Sequence, residues 1–273
     1  MIQSKLTKTI YTISTAALLF ITGCDGISTN SDTGMGSMEI RLHDAPADYD
    51  EVNVFVKRVE INNADEEGGW KVINEPNQKY NLLELTNGAY EVLGNAELET
   101  GTYPQIRLIL SKDQNSLVVA GEEKDLFIPS GAQTGIKLNI NAEINEGTEY
   151  VLLLDFDADR SVVVTGPPTD PGYILKPVIR ASNEAVTGNI GGAISPVDAR
   201  PAVFAISGED TLSTTYADTL TGEFRLVSLE EGNYTVSVNA REDGYETETI
   251  EDVPVTIGET NELNDIELTV SSQ

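Results

Sequence analysis

Across 273 residues, 45 acidic against 17 basic side chains leave a formal charge of −28. A chain this acidic repels nucleic acid phosphates and anionic lipid headgroups, which excludes nucleic-acid binding. One cysteine and one histidine allow no intramolecular disulfide and no zinc site built on two or three histidines, so stability has to come from packed apolar cores.

In chain order, Lys5 and Lys8 precede an apolar stretch from Ile10 to Ile21 and then small residues, the arrangement of a secretory signal peptide. The stretch is well short of the roughly 20 residues that a permanent spanning helix needs. It ends in "ITGC", that is Ile21, Thr22, Gly23 and Cys24, which resembles the lipobox of bacterial lipoproteins. The resemblance implies acylation of Cys24, cleavage before it, and a protein anchored to a bilayer rather than spanning it. Several acyl chains, at about 0.8 kcal/mol per buried methylene, make such an anchor essentially permanent. The expected location is therefore the bacterial cell envelope, with the membrane as a partner through Cys24. Residues 1–23 read as the signal and 24–36 as the lipidated cysteine and a tether, because "DGISTNSDTGMGS" is small, polar and turn-rich.

From Met38 onward short β patterns separated by turn clusters dominate. "DEVNVFVKRVEIN" sets Val52, Val54 and Val56 on one face but Val59 and Ile61 on the other parity, which predicts a bulge near Lys57 and Arg58. "NADEEGGW" reads as a hairpin loop returning at Trp70; a lone tryptophan there can stack on a sugar, and the commoner role is a core anchor. "YNLLELTNGAYEVLGNAELETGTYPQIRLIL" reads as leucines before Asn87-Gly88, one short helical turn, and a strand through Ile106, Leu108 and Leu110. "SKDQNS" reads as another hairpin, and "LFIPSG", "TGIKLNINAEINEG", "EYVLLLDFDA" and "GYILKPVIRA" continue the β series.

Taken in order, "RLHDAP", "VNVFVKRVEI", "TGTYPQIRLIL", "LFIPSGAQTGIKL", "LLLDFDADRSVVVTG" and "YILKPVIR" resemble the bacterial lipoprotein domain-of-unknown-function family 4382, over roughly Ser37 to Ala181. The resemblance implies an exported, usually lipid-anchored β domain, assigned here to 37–182, and brings no catalytic residues. A second unit, 183–273, starts near "VTGNIGGAISP". In "GEFRLVSLEEGNYTVSVNA" apolar residues alternate, Phe224 and Tyr234 read as core, and Gly232 is expected to permit a sharp turn between two strands. This unit resembles the carboxypeptidase-regulatory-like and collagen-adhesin B-type repeats, immunoglobulin-like sandwiches of prealbumin-like topology. Some adhesin repeats carry a Lys to Asn crosslink, which this unit cannot make, since no lysine follows Lys176. The expected fold is all-β, two antiparallel β domains in tandem after the signal and tether.

Chemistry-bearing motifs are sparse. No G-x-S-x-G elbow, phosphate-binding glycine loop or H-E-x-x-H helix occurs, and His43, where a strand runs into an Asp-Ala-Pro turn, reads as a strand-end residue with a polar neighbour. Asp155, Asp157 and Asp159 are candidate calcium ligands, spaced as an EF-hand loop opens, but that loop needs glycine at position six and glutamate at twelve, where this chain has Arg160 and Gly166. Read as a strand, Leu152, Leu154, Phe156 and Ala158 share an apolar face, while Val151, Leu153, Asp155, Asp157 and Asp159 share the other. Same-face neighbours lie about 6.6 Å apart, so the acids mark primarily the end of a buried strand. Among aromatics of the second unit, Tyr216 and Tyr245 lie near polar loops and are the candidate glycan contacts. The leading expectation is a non-catalytic binding or scaffolding lipoprotein without a cofactor; the alternatives are a carbohydrate-binding protein tied to glycan uptake and a calcium-binding surface protein. The expected partners beyond the membrane are a glycan or an envelope protein.

Overall fold

The computed structural model describes residues 34–64, 69–129 and 135–271. Cys24 and its neighbours Ile21, Thr22 and Gly23 lie outside the described residues. The first strands are β1 (Met35–Ala45), β2 (Glu51–Asn62), β3 (Trp70–Asn74), β4 (Gln78–Asn81), β5 (Glu91–Glu99), β6 (Gly101–Leu110), β7 (Ser116–Val119), β8 (Glu122–Phe127), β9 (Ile136–Ile144) and β10 (Glu149–Asp157). A single helical turn, α1 (Ala158–Ser161), leads to β11 (Val162–Thr165), β12 (Gly172–Leu175) and β13 (Ile179–Asn183). They form two sheets. One has the order β13-β10-β1-β5, and the larger runs β11-β12-β8-β7-β2-β6-β9 with β3 and β4 also paired to β2. Alternation places Met38, Ile40 and Leu42 of β1 and Leu152, Leu154 and Phe156 of β10 in the same core as Val52, Val54, Ile106 and Leu108 of the facing sheet.

The register of β2 explains most of the local pattern. Residues 59–62 pair with β3 on one edge and β6 on the other, while residues 51–56 pair with β4 and β7. Each edge of this long central strand is thus matched by two shorter strands laid end to end. The bulge expected near Lys57 and Arg58 is present as a register shift between Val56 and Arg58, and "NADEEGGW" joins the antiparallel pair β2–β3.

Several expectations need correction. "SKDQNS" is no hairpin, because β6 and β7 both pair with β2 and not with each other. The Asn115 side chain fastens that interruption, accepting from Phe55 N at 2.9 Å and donating to Ser111 O at 2.7 Å. The helical turn sits at Leu82–Glu84, before Asn87-Gly88, capped by the Asn81 side chain, and the residues after it form β5. Trp70 is no core anchor: its side chain is half-buried, outside the first core, with the Arg107 guanidinium 4.3 Å from its ring centre.

The second sandwich comprises β14 (Thr187–Ser195), β15 (Ala202–Ser207), β16 (Asp210–Tyr216), β17 (Glu223–Glu230), β18 (Gly232–Asn239), β19 (Glu248–Val255), β20 (Thr260–Glu262) and β21 (Ile266–Glu267). One sheet is β17-β14-β20 with β21 also on β14; the other is β16-β15-β18-β19. Ile190, Leu226 and Phe224 from the first meet Val203, Val236 and Val253 from the second, and Tyr234 joins them as expected. The fold is all-β and mostly antiparallel, with parallel pairs at β1–β10, β8–β12, β14–β20 and β14–β21. Strands distant in sequence can pair this way because the intervening chain supplies the crossover.

Gly232 does not turn a hairpin. β17 and β18 belong to opposite sheets, so Glu231 links a crossing between layers. The same device occurs in the first sandwich, where Thr100 links β5 to β6 across its two sheets. Both corners read E-x-G-x-Y. In each the tyrosine hydroxyl donates to the carbonyl of the glutamate, Tyr103 to Glu99 at 3.0 Å and Tyr234 to Glu230 at 2.9 Å. These are tyrosine corners of the kind that pin strand crossings in β-sandwiches. Tyr103→Phe and Tyr234→Phe are each expected to cost about 1 kcal/mol, and the double variant their sum, because the corners lie in different cores; urea unfolding of the three variants measures both points.

The described residues, from 34 to 271, belong to one compact unit. The outward side chains of β1 and β10 meet the second sandwich: Arg41, His43 and Leu153 line one cavity with Thr187, Asn189, Val227 and Ser228. This is why Leu153, on the face away from the first core, is only 2% exposed, and why "VLLL" reads as continuously apolar.

Candidate functional site

Where β1 ends, the turn Pro46–Asp50 carries Asp48, Tyr49 and Asp50 toward the second sandwich. The turn is held in place by the Asp50 amide donating to Val118 O at 2.9 Å and the Asp50 carboxylate accepting from Gly121 N at 2.8 Å. Opposite it, Arg200, Tyr216, Ala217, Thr219 and Arg241 complete a cavity of about 410 Å³. Arg241 bridges the two sides: its guanidinium hydrogen-bonds and ion-pairs with Asp48 and lies 4.1 Å from the ring centre of Tyr216. Its backbone amide donates to Ala199 O at 3.0 Å, which fixes the base of the side chain. Arg200 pairs with Glu242 at 3.4 Å.

Burial sets the electrostatics of this cleft. It pushes the Tyr216 phenol above its ordinary value, helped by the Asp159 carboxylate and opposed by Arg200. Tyr49 shifts the same way, from burial and then Asp159 and Tyr173. The Arg241 guanidinium is lowered by burial, against the opposing pull of Glu242. Neutral phenols beside a fixed arginine offer stacking surface and hydrogen bonds, a binding chemistry rather than a proton-transfer one.

The structure brings some expected residues together and separates others. Asp159 comes within electrostatic reach of Tyr216 and Tyr49. Tyr245 instead bridges to Val270 and packs on the second core, away from the cleft lining. The three aspartates do not converge as calcium ligands. Asp155 pairs with Arg180 at 3.2 Å, whereas Asp157 caps α1 by accepting from Arg160 N at 2.9 Å. The strand ends at Asp157, so Asp159 lies on the helical turn and not on the acidic face expected of a longer strand. Among the described residues no group of three or more His, Cys, Asp or Glu could hold a metal ion. His43, buried near the end of β1, donates from Nδ1 to Ala89 O at 2.8 Å, a partner 46 residues away in the chain.

Sequence reasoning missed Asp48, Tyr49, Arg200 and Arg241. The signal for the first two was the turn "DAPADYD", where acids and a tyrosine crowd a strand end. Nothing local marks Arg241, whose role depends on the packing of two sandwiches.

The family model described as "Domain of unknown function (DUF4382)" matches residues 35–177. No curated protein matches the chain. Among solved structures, the chain is similar to the Bacillus anthracis TIE protein, at 14% identity and a TM-score of 0.24, covering 87% of this chain and 34% of that one. GBS52, the minor pilin of Streptococcus agalactiae, matches at 11% identity and a TM-score of 0.26, covering 86% and 97%. The shaft pilin spaA of Lactobacillus rhamnosus GG matches at 10% identity and a TM-score of 0.22, covering 88% and 99%. The chain thus spans about a third of the Bacillus protein and nearly all of the two pilins. With TM-scores this low, the fold rests on the strand pairing described above.

Proposed function

The chain belongs to the DUF4382 family, whose description assigns no activity, and from that premise we propose that it is a non-catalytic binding or scaffolding protein held at the bacterial cell envelope by a lipid on Cys24. The observation that carries the anchor is the coincidence of Lys5 and Lys8, the apolar stretch Ile10–Ile21, and the one cysteine of the chain directly after Ile21, Thr22 and Gly23. Among the described residues no helix is long and apolar enough to cross a membrane. Support for the binding role comes from the cleft between the sandwiches, where Arg241 ties Asp48 and Tyr216 into one wall. Such a wall is held by charge-assisted and cation–π contacts and presents a fixed polar surface.

Substitution Cys24→Ser is expected to abolish labelling by a palmitate analogue and to move the protein from the membrane pellet to the soluble fraction. A variant that still pellets with membranes as the parent does would reject the anchor.

A further inference from the structure

The outward face of the larger sheet in the first sandwich carries a second, unrelated surface. Register places Trp70, Asn62, Gln105 and Asn139 in one row across β3, β2, β6 and β9, with Val72, Glu60, Arg107 and Lys137 in the next. Directly opposed residues project to the same face, and the residues between them, Ile61 and Ile106, are fully buried on the other. Eight side chains therefore form one patch.

Its internal contacts order it. Glu60 is only 4% exposed although it sits on the outward face, and its two oxygens are taken by Arg58, at 2.7 Å, and by Arg107. Arg107 in turn lies against the Trp70 indole, with the Lys137 ammonium 5.6 Å from the same ring centre. Lys137 makes no ion pair among the described residues. Gln105 Nε2 donates to Asn139 Oδ1 at 2.8 Å, which aligns two amides that can each still donate and accept. The indole is half-buried and keeps part of its surface open to solvent.

We infer that this patch binds an acidic oligosaccharide, with a sugar ring against Trp70, its carboxylate or sulfate at Lys137, and its hydroxyls at the amides of Gln105 and Asn139. A flat aromatic surface beside paired amides suits the apolar face and hydroxyl edge of a sugar. Charge selects the kind of sugar, because Lys137, a cation without a carboxylate partner among the described residues, faces outward here beside the indole. Screening over about 8 Å at physiological salt lets Lys137 act locally on a short anion, whereas a long polyanion such as a nucleic acid would extend into the surrounding acidic field. An apolar peptide finds only Trp70 and Val72 to bury. The inference is independent of the lipid anchor and of the cleft between the sandwiches.

Trp70 is the only tryptophan in the chain, so indole emission reports this patch alone. The full chain in detergent, titrated with oligogalacturonate or with a carrageenan oligosaccharide, which carries sulfate and no carboxylate, is expected to show a saturable emission change. The two ligands distinguish carboxylate from sulfate. A carboxyl-reduced, neutral version of the first ligand is expected to bind about tenfold more weakly or worse, the usual effect of losing one charge-assisted hydrogen bond. Lys137→Gln, at an exposed position, is expected to melt as the parent does and lose the same factor. The inference is overturned if neither acidic ligand changes the emission or gives calorimetric heat, if the neutral ligand binds as well as the acidic one, or if Lys137→Gln binds as the parent does.

Discussion

Gly222→Ala is expected to lower stability by about 3–4 kcal/mol, from a left-handed backbone made to carry a side chain and from overlap with an immovable neighbour. Gly222 has φ of 77°, and a methyl added there would stand 2.2 Å from the carbonyl oxygen of Ile194 and 3.3 Å from Val197 Cγ1. Neither partner can step aside. Ile194 N donates to Gly222 O at 2.9 Å, and Gly222 N donates to Asp218 O at 2.9 Å. The Asp218 carboxylate meanwhile accepts from Leu220 N and Thr221 N, both at 2.8 Å. The turn is thus pinned to β14 at the centre of its sheet. Gly121 is the control: it has the same φ, 77°, with nothing within 4 Å of an added methyl, so Gly121→Ala should pay only the backbone strain, about 1–2 kcal/mol. Thermal and urea unfolding of the two variants measure the difference, and equal losses would show that the contact with Ile194 relaxes.

Asp44→Asn is expected to stabilise the protein at neutral pH, by about 1–3 kcal/mol, the cost of a buried acceptor left unpaired. Asp44 is fully buried at the end of β1; its Oδ1 accepts from Ala158 N at 3.0 Å, and its Oδ2 has no hydrogen-bond partner. Burial drives its carboxyl well above the ordinary value of 3.8, the Asp155 and Asp157 carboxylates push the same way, and the Ala158 amide opposes them. Arg180 on β13 and Arg160 on α1 are engaged with those neighbours, at 3.2 and 3.8 Å, and do not pair with Asp44.

The folded chain therefore keeps a proton that the unfolded chain has released. Stability from this group is greatest below the ordinary value and is lost as pH rises from there to the elevated folded value. An asparagine keeps the Oδ1 acceptor and replaces the orphan oxygen with a neutral donor within electrostatic reach of the Asp155 and Asp157 carboxylates. The difference in melting temperature between variant and parent should be near zero around pH 3.8 and grow to its full size at neutral pH. A pH-independent difference would show that Asp44 does not titrate in this range.

Much of the fold was legible because period-two patterning depends only on neighbours in the chain. The parity change after Val56 gave the bulge, and the loop before Trp70 gave the β2–β3 pair. What failed was partner choice. "SKDQNS" and the link at Glu231 both look like tight turns, yet one merely interrupts an edge lying along β2 and the other carries the chain between sheets. A short polar link reads the same whether the next strand pairs back, continues or crosses over. The repeated E-x-G-x-Y was the available cue for the crossings, since its hydroxyl reaches back over the corner. Trp70 was misplaced for a related reason: strand parity puts it on the outward face beside Asn62, and hydrophobicity alone argued for the core. The cleft was the least legible part, because Asp48 and Arg241, which meet across it, are far apart in sequence.

The last two strands run beside β14 in the same direction as it does, β20 along Asn189–Gly191 and β21 along Ile194–Ser195. A pull applied before Thr187 and after Glu267 drags these partners past each other lengthwise. The backbone bonds between them then share the tension together instead of peeling open one by one. The second sandwich is thereby braced against stretching by its own topology, without the covalent crosslink that its missing lysines rule out.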